Sequence, residues 1–229
     1  MSNKKVVFMG TPEFSVPILE AIAKSSYKIS CVYTQMPKKS NRGLKVNISP
    51  IQKCAEKLKL IVKNPKNLNS DDEFEFIKKL NPDIVLVVAY GQLISKKFLN
   101  LSKEGFINIH ASLLPKWRGA APIQRSIMNS DVESGISIMK IDEGLDTGPV
   151  IKKVKIKIEE SFTSEELSKK LSHISSELIV KILDEIFNKK LKFVKQNHQH
   201  ATYAKKIRKE EAQIIWNESA KKILAKING

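Results

Sequence analysis

Asn108 and His110 are the residues of this chain whose types and spacing best suit chemistry. They lie in Phe106–His110, an apolar stretch that predicts a β-strand, and side chains two residues apart on a strand point to the same face. In open α/β sheets, ligands bind beyond the carboxyl ends of the strands. An imidazole and an amide at such an end could donate hydrogen bonds to an oxygen and move a proton near neutral pH. The alternative is a buried histidine beside a turn-forming asparagine, each satisfied within the structure.

Two segments that follow this pair could complete a site. Ser112–Pro122 contains two prolines, a glycine and two cations, and a rigid loop in this place could bound a pocket. The glycine-punctuated turn Asp142–Pro149 contributes Asp142 and Asp146, one of which we expect to reach the histidine, fix its tautomer and stabilise its imidazolium form. The alternative for this turn is a merely acidic loop or a weak cation site, although its spacing is not that of an EF-hand.

Other chemistries receive less support from the sequence. His198 and His200 are two residues apart in a polar stretch and lack a third ligand nearby, so we expect no metal. Ser112 with the histidine and an aspartate could be imagined as a hydrolase triad, but the chain has no G-x-S-x-G elbow. Gly10-Thr11-Pro12 matches neither a dinucleotide nor a Walker pattern.

Helices and strands alternate along the chain, which predicts an α/β fold with a mostly parallel central sheet flanked by helices. Thr11 is expected to cap the first helix, with Pro12 at its first position. The expected strands are Val6–Met9, Ile29–Tyr33, Ile84–Ala89, Phe106–His110, Gly135–Ile141 and Val150–Ile158, and the expected later helices are Pro50–Lys59, Asp71–Leu80, Ala120–Asn129, Ser164 to about Asn188, and a short one near the end.

Composition limits the class of protein. The 229 residues include 40 basic and 24 acidic side chains, for a net charge of +16, and 41% are hydrophobic, which excludes a disordered charged tail. No apolar run approaches the roughly 18 to 20 residues of a membrane span, and the two cysteines cannot form a disulfide framework. We therefore expect a cytoplasmic protein without a membrane partner.

The stretch between Thr34 and Pro50 has no regular periodicity and is predicted to be a long loop. Its Lys38–Lys45 part is basic and could bind a polyanion such as RNA. The alternative is a solvated lysine loop, because lysine is abundant over the whole chain.

These motifs together resemble the folate-dependent formyltransferases. Three of them stand in the family's order: Asn108-x-His110, Ser112-Leu113-Leu114-Pro115, and the D-x-G-x-D-T-G turn that contains Asp146. Further stretches are similar to the members that act on methionyl-tRNA: Phe8–Phe14, Val88–Gly91, Trp117–Gln124, Thr202–Ile207 and Lys209–Ala212. One departure is Ile214-Ile215-Trp216, where the family usually has I-D-W.

The resemblance implies a Rossmann-like formyltransferase fold and a domain organisation. We expect residues 1–203 to form the catalytic domain and residues 204–229 to be a C-terminal extension or the start of a linker. The family's C-terminal β-barrel domain would then be absent from this chain. We expect the chain to be a monomer.

The resemblance also implies an activity, namely transfer of a formyl group from the co-substrate 10-formyltetrahydrofolate to the α-amino group of methionine on initiator methionyl-tRNA. Asn108 and His110 would then donate to the developing oxyanion, and Asp146 would pair with His110 and help proton transfer. The implied ligand contacts are Ser112, Leu113, Leu114 and Pro115 for folate, with Val88, Ala89, Tyr90 and Gly91 in the wall of the pterin pocket, and Lys38, Lys39, Arg42 and Lys45 for tRNA.

Two other functions stay open at this point. The first is a folate-dependent formyltransferase whose acceptor is another amine, such as a nucleotide-linked amino sugar. The second is a non-catalytic basic RNA-binding module, which would leave Asn108, His110 and Asp146 without a role.

Overall fold

A computed structural model describes residues 4–40 and 45–229 of the chain. Within these residues the strands are β1 (Lys5–Gly10), β2 (Lys28–Tyr33), β3 (Lys38–Ser40), β4 (Lys45–Asn47), β5 (Val62–Lys63), β6 (Ile84–Val88), β7 (Phe106–His110), β8 (Arg118–Gly119), β9 (Glu133–Lys140), β10 (Val150–Lys157) and β11 (Tyr203–Ala204). The helices are α1 (Val16–Ala23), α2 (Pro50–Lys57), α3 (Asp71–Leu80), α4 (Lys96–Leu99), α5 (Pro122–Met128), α6 (Ser164–Phe187) and α7 (Ala220–Asn228).

The chain divides into two compact units. The first comprises the described residues of Met1–Ile109 together with Ser172–Lys192, and the second comprises His110–Leu171 and Phe193–Gly229. Strand β7 belongs to the first unit except for its last residue, His110, and helix α6 passes from the second unit into the first.

The first unit is built on five parallel strands in the order β7-β6-β1-β2-β5. Every residue of β6 is buried, as expected for a continuous apolar run in a central parallel strand. Helix α2 begins where Ser49 Oγ accepts a hydrogen bond from Gln52 N and Pro50 takes the first helical position. The predicted α/β class with a mostly parallel sheet and flanking helices is confirmed.

The first helix begins differently from the sequence expectation. A short 3₁₀ helix, Glu13–Ser15, precedes α1. Pro12 is the N-cap residue of that helix, and no side chain makes a capping hydrogen bond there. Thr11 does not cap the helix, because its hydroxyl donates to the carbonyl oxygen of Tyr90, 2.8 Å away. The Thr11 hydroxyl thus makes a hydrogen bond to a residue distant in sequence and not to the first turn of the helix.

The stretch predicted to be a loop between Thr34 and Pro50 contains a short antiparallel strand pair, β3 with β4. Each strand has only three residues, which is too short to produce a recognisable alternation in the sequence. Lys38, Lys39 and Lys45 lie on these strands. Arg42 lies outside the described residues.

The second unit contains the antiparallel pair β9 and β10, and a short parallel pair formed by β8 and β11. Six consecutive residues of β9 are buried, whereas β10 exposes its lysines, as the alternating sequence predicted. Helices α5 and α7 pack against each other. In the part of the chain that the structure describes, no helix has both the length and the apolar character required to cross a bilayer.

Candidate active site

His110 is 6% exposed and lies at the carboxyl end of β7. Its Nε2 atom is 2.8 Å from the carbonyl oxygen of Trp117. Because a carbonyl oxygen only accepts hydrogen bonds, Nε2 must carry a proton. Nδ1 faces Asp146, with 3.6 Å between Nδ1 and Oδ2. The imidazolium form, in which both nitrogens carry protons, suits both neighbours.

Asp146 is the carboxylate of the acidic turn that approaches His110. Its Oδ2 accepts a hydrogen bond from the backbone nitrogen of Gly119 at 2.8 Å, and its backbone carbonyl accepts one from Gln196 Nε2, also at 2.8 Å. Asp142 has a different task, because its Oδ1 accepts from Thr147 Oγ1 at 2.6 Å and from the backbone nitrogen of Gly144. The residue types alone left the two aspartates equivalent, and the family resemblance selected Asp146; in the structure their contacts differ.

Asn108 precedes His110 by two residues on β7, and its backbone is in register with Val87 of β6. Its side chain is half-buried. The strand thus brings the amide and the imidazole to the same face, as the alternation of a β-strand requires.

Ser112–Pro115 belongs to a longer segment, Ala111–Ala121, which we call the 111–121 loop. Ser112 Oγ donates to the carbonyl oxygen of Lys116 at 2.5 Å, and Ser137 Oγ donates to the carbonyl oxygen of Ser112 at 2.7 Å. Ser137 also accepts from the backbone nitrogen of Leu114, and Lys153 Nζ donates to the Leu114 carbonyl. The hydroxyl proton of Ser112 is thus used within the loop and not by His110, so this geometry does not support a hydrolase triad.

Arg118, in the same loop, is 1% exposed and holds a network that the sequence did not predict. Its Nε and Nη2 donate to Gln196 Oε1 at 3.2 and 2.7 Å, and Nη2 is 3.2 Å from His198 Nδ1. Gln196 Nε2 donates in turn to the carbonyl oxygens of Asp146 and Gly148. His198 therefore faces a guanidinium group, which disfavours it as a metal ligand. Among the described residues, no three His, Cys, Asp or Glu side chains are grouped for a metal ion.

Val88–Gly91, which we call the 88–91 turn, begins at the last residue of β6 in the first unit. Ser15 Oγ donates to the Val88 carbonyl at 2.7 Å, and Thr11 Oγ1 and Gln35 Nε2 donate to the Tyr90 carbonyl at 2.8 and 3.2 Å. The Tyr90 ring is buried, and its hydroxyl makes no hydrogen bond to the rest of the described chain. Burial raises the pKa of the Tyr90 hydroxyl well above its ordinary value.

Three residues other than glycine in these segments have left-handed backbone conformations. Ala89, Trp117 and Asp146 have φ angles of 49°, 61° and 51°. This region is sterically costly for residues with a Cβ, and such residues cluster at functional sites. Each lies in one of the segments that carry the sequence motifs.

The second unit also carries a basic surface to which the sequence motifs give no binding role. Gly119, Leu145, Tyr203 and Ala204 line an open hollow of about 510 Å³, and its rim carries cations. The cations are Lys205, Lys206 and Arg208, all exposed.

The segment that carries these cations is attached to α5 through Arg125. Arg125 Nη1 is 2.6 Å from Glu211 Oε2, and Arg125 Nε donates to the carbonyl oxygen of Lys205. The Arg125 guanidinium, followed by the backbone N–H of Arg208, lowers the pKa of Glu211 to about 2.

Comparisons with known proteins show which family this chain is similar to. The model of the family described as Formyl transferase matches residues 4–183. Among similar proteins, the methionyl-tRNA formyltransferase of Pelagibacter ubique is 56% identical over 228 residues, which cover 99% of this chain and 74% of that protein. The methionyl-tRNA formyltransferase of Bartonella henselae is 45% identical over 217 residues, covering 94% of this chain and 70% of that protein.

A solved structure is also similar in fold. The N-formyltransferase from Helicobacter canadensis, in complex with folinic acid and dTDP-3-aminofucose, superposes with a TM-score of 0.76 at 23% identity, covering 99% of this chain and 80% of that one. The predicted formyltransferase fold is therefore confirmed. Because the family model matches most of this chain, and because the chain covers more than two thirds of these relatives, this chain belongs to the formyl transferase family.

Proposed function

We propose that this chain transfers a formyl group from 10-formyltetrahydrofolate to the α-amino group of methionine on initiator methionyl-tRNA, and so supports translation initiation. The observation that carries the proposal is the setting of His110, whose Nε2 is held by a backbone carbonyl and whose Nδ1 is turned towards Asp146. The relatives that bear the name of this activity are 45 to 56% identical to the chain over nearly its whole length.

The protein must stabilise a developing negative charge and accept a proton during this reaction. When the amine attacks the formyl carbon, the carbonyl oxygen gains negative charge and the attacking nitrogen must lose a proton. Donors fixed in place before the reaction stabilise such an oxygen, and losing one typically costs on the order of 100- to 1000-fold in turnover. We assign this role to the side-chain amide of Asn108 and to His110.

The contacts of His110 indicate which of its ring nitrogens would donate to the oxyanion. Because Nε2 already donates to Trp117, the donor to the oxyanion would be the Nδ1–H of the imidazolium. Asp146 would stabilise that cation through its carboxylate and receive the proton lost by the amine, directly or through water. The folate nitrogen that releases the formyl group takes up a proton as it leaves, so the protons balance over the reaction.

For folate, we assign contacts to Ser112, Leu113, Leu114 and Pro115 and to the 88–91 turn. Leu113 and Pro115 are half-buried and leave apolar surface next to a backbone that is held by hydrogen bonds. Apolar surface with a few fixed polar groups suits a flat aromatic ring with polar edges. The residues of the 111–121 loop therefore fit the co-substrate in chemical type.

For the tRNA, we assign contacts to Lys38, Lys39, Arg42 and Lys45. The basic rim formed by Lys205, Lys206 and Arg208 in the second unit is a further place where phosphates could be neutralised. The acceptor is an RNA used in translation, which is consistent with a cytoplasmic reaction. One chain carries all three proposed catalytic residues, so a monomer would suffice.

The direct test offers the purified chain 10-formyltetrahydrofolate with a labelled formyl group and one acceptor at a time. We expect labelled formyl-methionyl-tRNA and little label on a nucleotide-linked amino sugar. Transfer to the amino sugar only would identify a formyltransferase with another acceptor. RNA binding without transfer to either acceptor would identify a non-catalytic module, and either result would refute the proposal.

A further inference from the structure

We propose that Asp131 is a positioning residue that fixes the orientation and tautomer of His110 through the backbone of Trp117. The inference deepens the proposed function, since it assigns a further residue to the same site. Neither the sequence motifs nor the comparisons give Asp131 a role.

The proposal starts from the hydrogen bond between His110 Nε2 and the Trp117 carbonyl oxygen, which measures 2.8 Å. This bond decides which ring nitrogen carries the proton and which edge of the ring faces Asp146. A carbonyl can do this only if its own direction is fixed. The orientation of His110 therefore depends on the contacts that hold the backbone of Trp117.

Trp117 has a φ of 61°, a conformation that a bulky residue adopts only when its surroundings impose it. Its backbone nitrogen donates to Thr202 Oγ1 at 2.8 Å. Its indole Nε1 donates to Asp131 Oδ2 at 2.7 Å. The next backbone nitrogen, that of Arg118, donates to the carbonyl oxygen of Thr202 at 2.8 Å. The Trp117 backbone is thus held on both sides by Thr202, and the bond to Asp131 holds the far end of the side chain.

Asp131 is well placed for this task. Its side chain is 5% exposed, and its Oδ1 lies 2.9 Å from Lys116 Nζ and 2.6 Å from Asn129 Nδ2. A buried carboxylate is costly unless it is paired and hydrogen-bonded. Both of its oxygens accept hydrogen bonds, from three neighbours in all, and two of these, Lys116 and Trp117, belong to the 111–121 loop. The carboxylate therefore fixes the loop at the residue whose carbonyl holds His110.

The inference predicts a specific defect when the indole loses its acceptor. In Asp131→Ala, the Trp117 backbone gains freedom, the His110 ring is no longer held in one orientation, and kcat for formyl transfer falls by about 10- to 100-fold, because small misplacements of a reacting group have effects of this size. The KM for the formyl donor stays unchanged. Asp131→Asn restores most of the kcat, since an amide oxygen can also accept from the indole.

The decisive readout is the proton on the imidazole. Long-range ¹H–¹⁵N spectra of the ring, recorded where it is neutral, should give the Nε2–H tautomer alone in the wild-type chain and in Asp131→Asn, and a tautomer mixture in Asp131→Ala. Trp117→Phe keeps an aromatic ring but removes the Nε1–H, and it should give the same mixture. It replaces the alanine variant should that one fail to fold.

A matched control separates the indole bond from the other bonds of Asp131. Lys116→Met removes the ion pair of Asp131 with Lys116 but leaves the indole bond, so it should retain the wild-type tautomer. An unchanged wild-type spectrum in both Asp131→Ala and Trp117→Phe would overturn the positioning role, whatever their kcat. The spectra do not depend on turnover, so an inactive wild-type chain would refute the proposed function without deciding this inference.

Discussion

The 88–91 turn and the 111–121 loop both follow a strand end, yet they are held in different ways. Neutral side chains, Thr11, Ser15 and Gln35, donate to carbonyl oxygens of the 88–91 turn. The 111–121 loop has neutral bonds of this kind as well, but it is also held through buried charged groups, among them Arg118 and Asp131. A lost neutral bond costs about 1 kcal/mol, whereas an unsatisfied buried group next to a charge costs more. Removing a contact of the 111–121 loop should therefore lower the free energy of unfolding more than removing a contact of the 88–91 turn.

The largest effect on stability is expected for Arg118→Met. The methionine fills part of the volume but leaves Gln196 Oε1 and His198 Nδ1 without their donor, so the free energy of unfolding should fall by about 3 kcal/mol. Urea denaturation measures this change. Lys209→Met, which removes a positive charge from an exposed side chain, serves as the control and should change the value by less than about 0.5 kcal/mol. Equal effects of the two variants would contradict the role of the buried network.

A pair of glycine variants compares the two segments directly. Gly119 has a φ of 113°, and a Cβ there would lie 3.0 Å from the backbone oxygen of Ala204. Gly91 has a φ of 83°, but a Cβ there would meet the end of the flexible Gln35 side chain. Both Ala variants are strained, and we expect a loss of about 2 to 3 kcal/mol for Gly119→Ala and about 1 to 2 kcal/mol for Gly91→Ala. Thermal unfolding of both variants measures the two losses in stability. A larger loss for Gly91→Ala than for Gly119→Ala would contradict the greater sensitivity of the 111–121 loop.

A smaller effect is expected for Ser15→Ala in the first unit. The variant removes the hydroxyl that donates to the Val88 carbonyl, and a net loss of about 1 kcal/mol follows from one neutral buried hydrogen bond. Ser26→Ala, at an exposed position eleven residues later, is the matched control in the same unfolding experiment. A loss above about 3 kcal/mol would mean that the 88–91 turn depends on this bond as strongly as the 111–121 loop depends on Arg118.

The smallest effect on stability is expected from the pH dependence of the ion pair between Glu211 and Arg125. The pKa of Glu211 is lowered to about 2 from an ordinary value of 4.5, so its ion pair stabilises the fold above about pH 4.5 and this contribution is lost as the pH falls towards 2. In Arg125→Gln, the pKa of Glu211 should rise towards 4.5, which an NMR titration of the carboxyl group would detect. A pKa that stays near 2 in the variant would exclude Arg125 as the cause.

Much of the fold and the core of the candidate site could be predicted from residue types. The continuous apolar run at β6 and the alternation at β7 have direct sequence signals, and β7 fixes the common face of Asn108 and His110. The acidic turn was predicted to approach His110, and the family resemblance selected Asp146, whereas residue types alone did not separate Asp142 from Asp146. Sequence spacing alone does not contain that information.

The parts that could not be predicted depend on backbone groups and on partners distant in the chain. The acceptor for His110 is the carbonyl of Trp117, and a carbonyl group is present in every residue. Gln196 lies 78 residues from Arg118 in a polar stretch without periodicity, so nothing in its type marks it as a partner. Thr11 has the features of a helix cap, but its hydroxyl donates a hydrogen bond to the distant carbonyl of Tyr90. Local patterns predict elements, but they do not predict which element ends meet.

The most direct test of the proposed mechanism is the turnover of Asp146→Asn in formylation of methionyl-tRNA. The asparagine can still accept the hydrogen bond from the Gly119 nitrogen, so the loop should remain in place while the charge that faces His110 is lost. We expect kcat to fall on the order of 100- to 1000-fold. Glu143→Gln, which removes an exposed charge from the same turn, should keep nearly full turnover. If Asp146→Asn folds normally and turns over at the wild-type rate, Asp146 does not support catalysis by His110 and the mechanism is wrong.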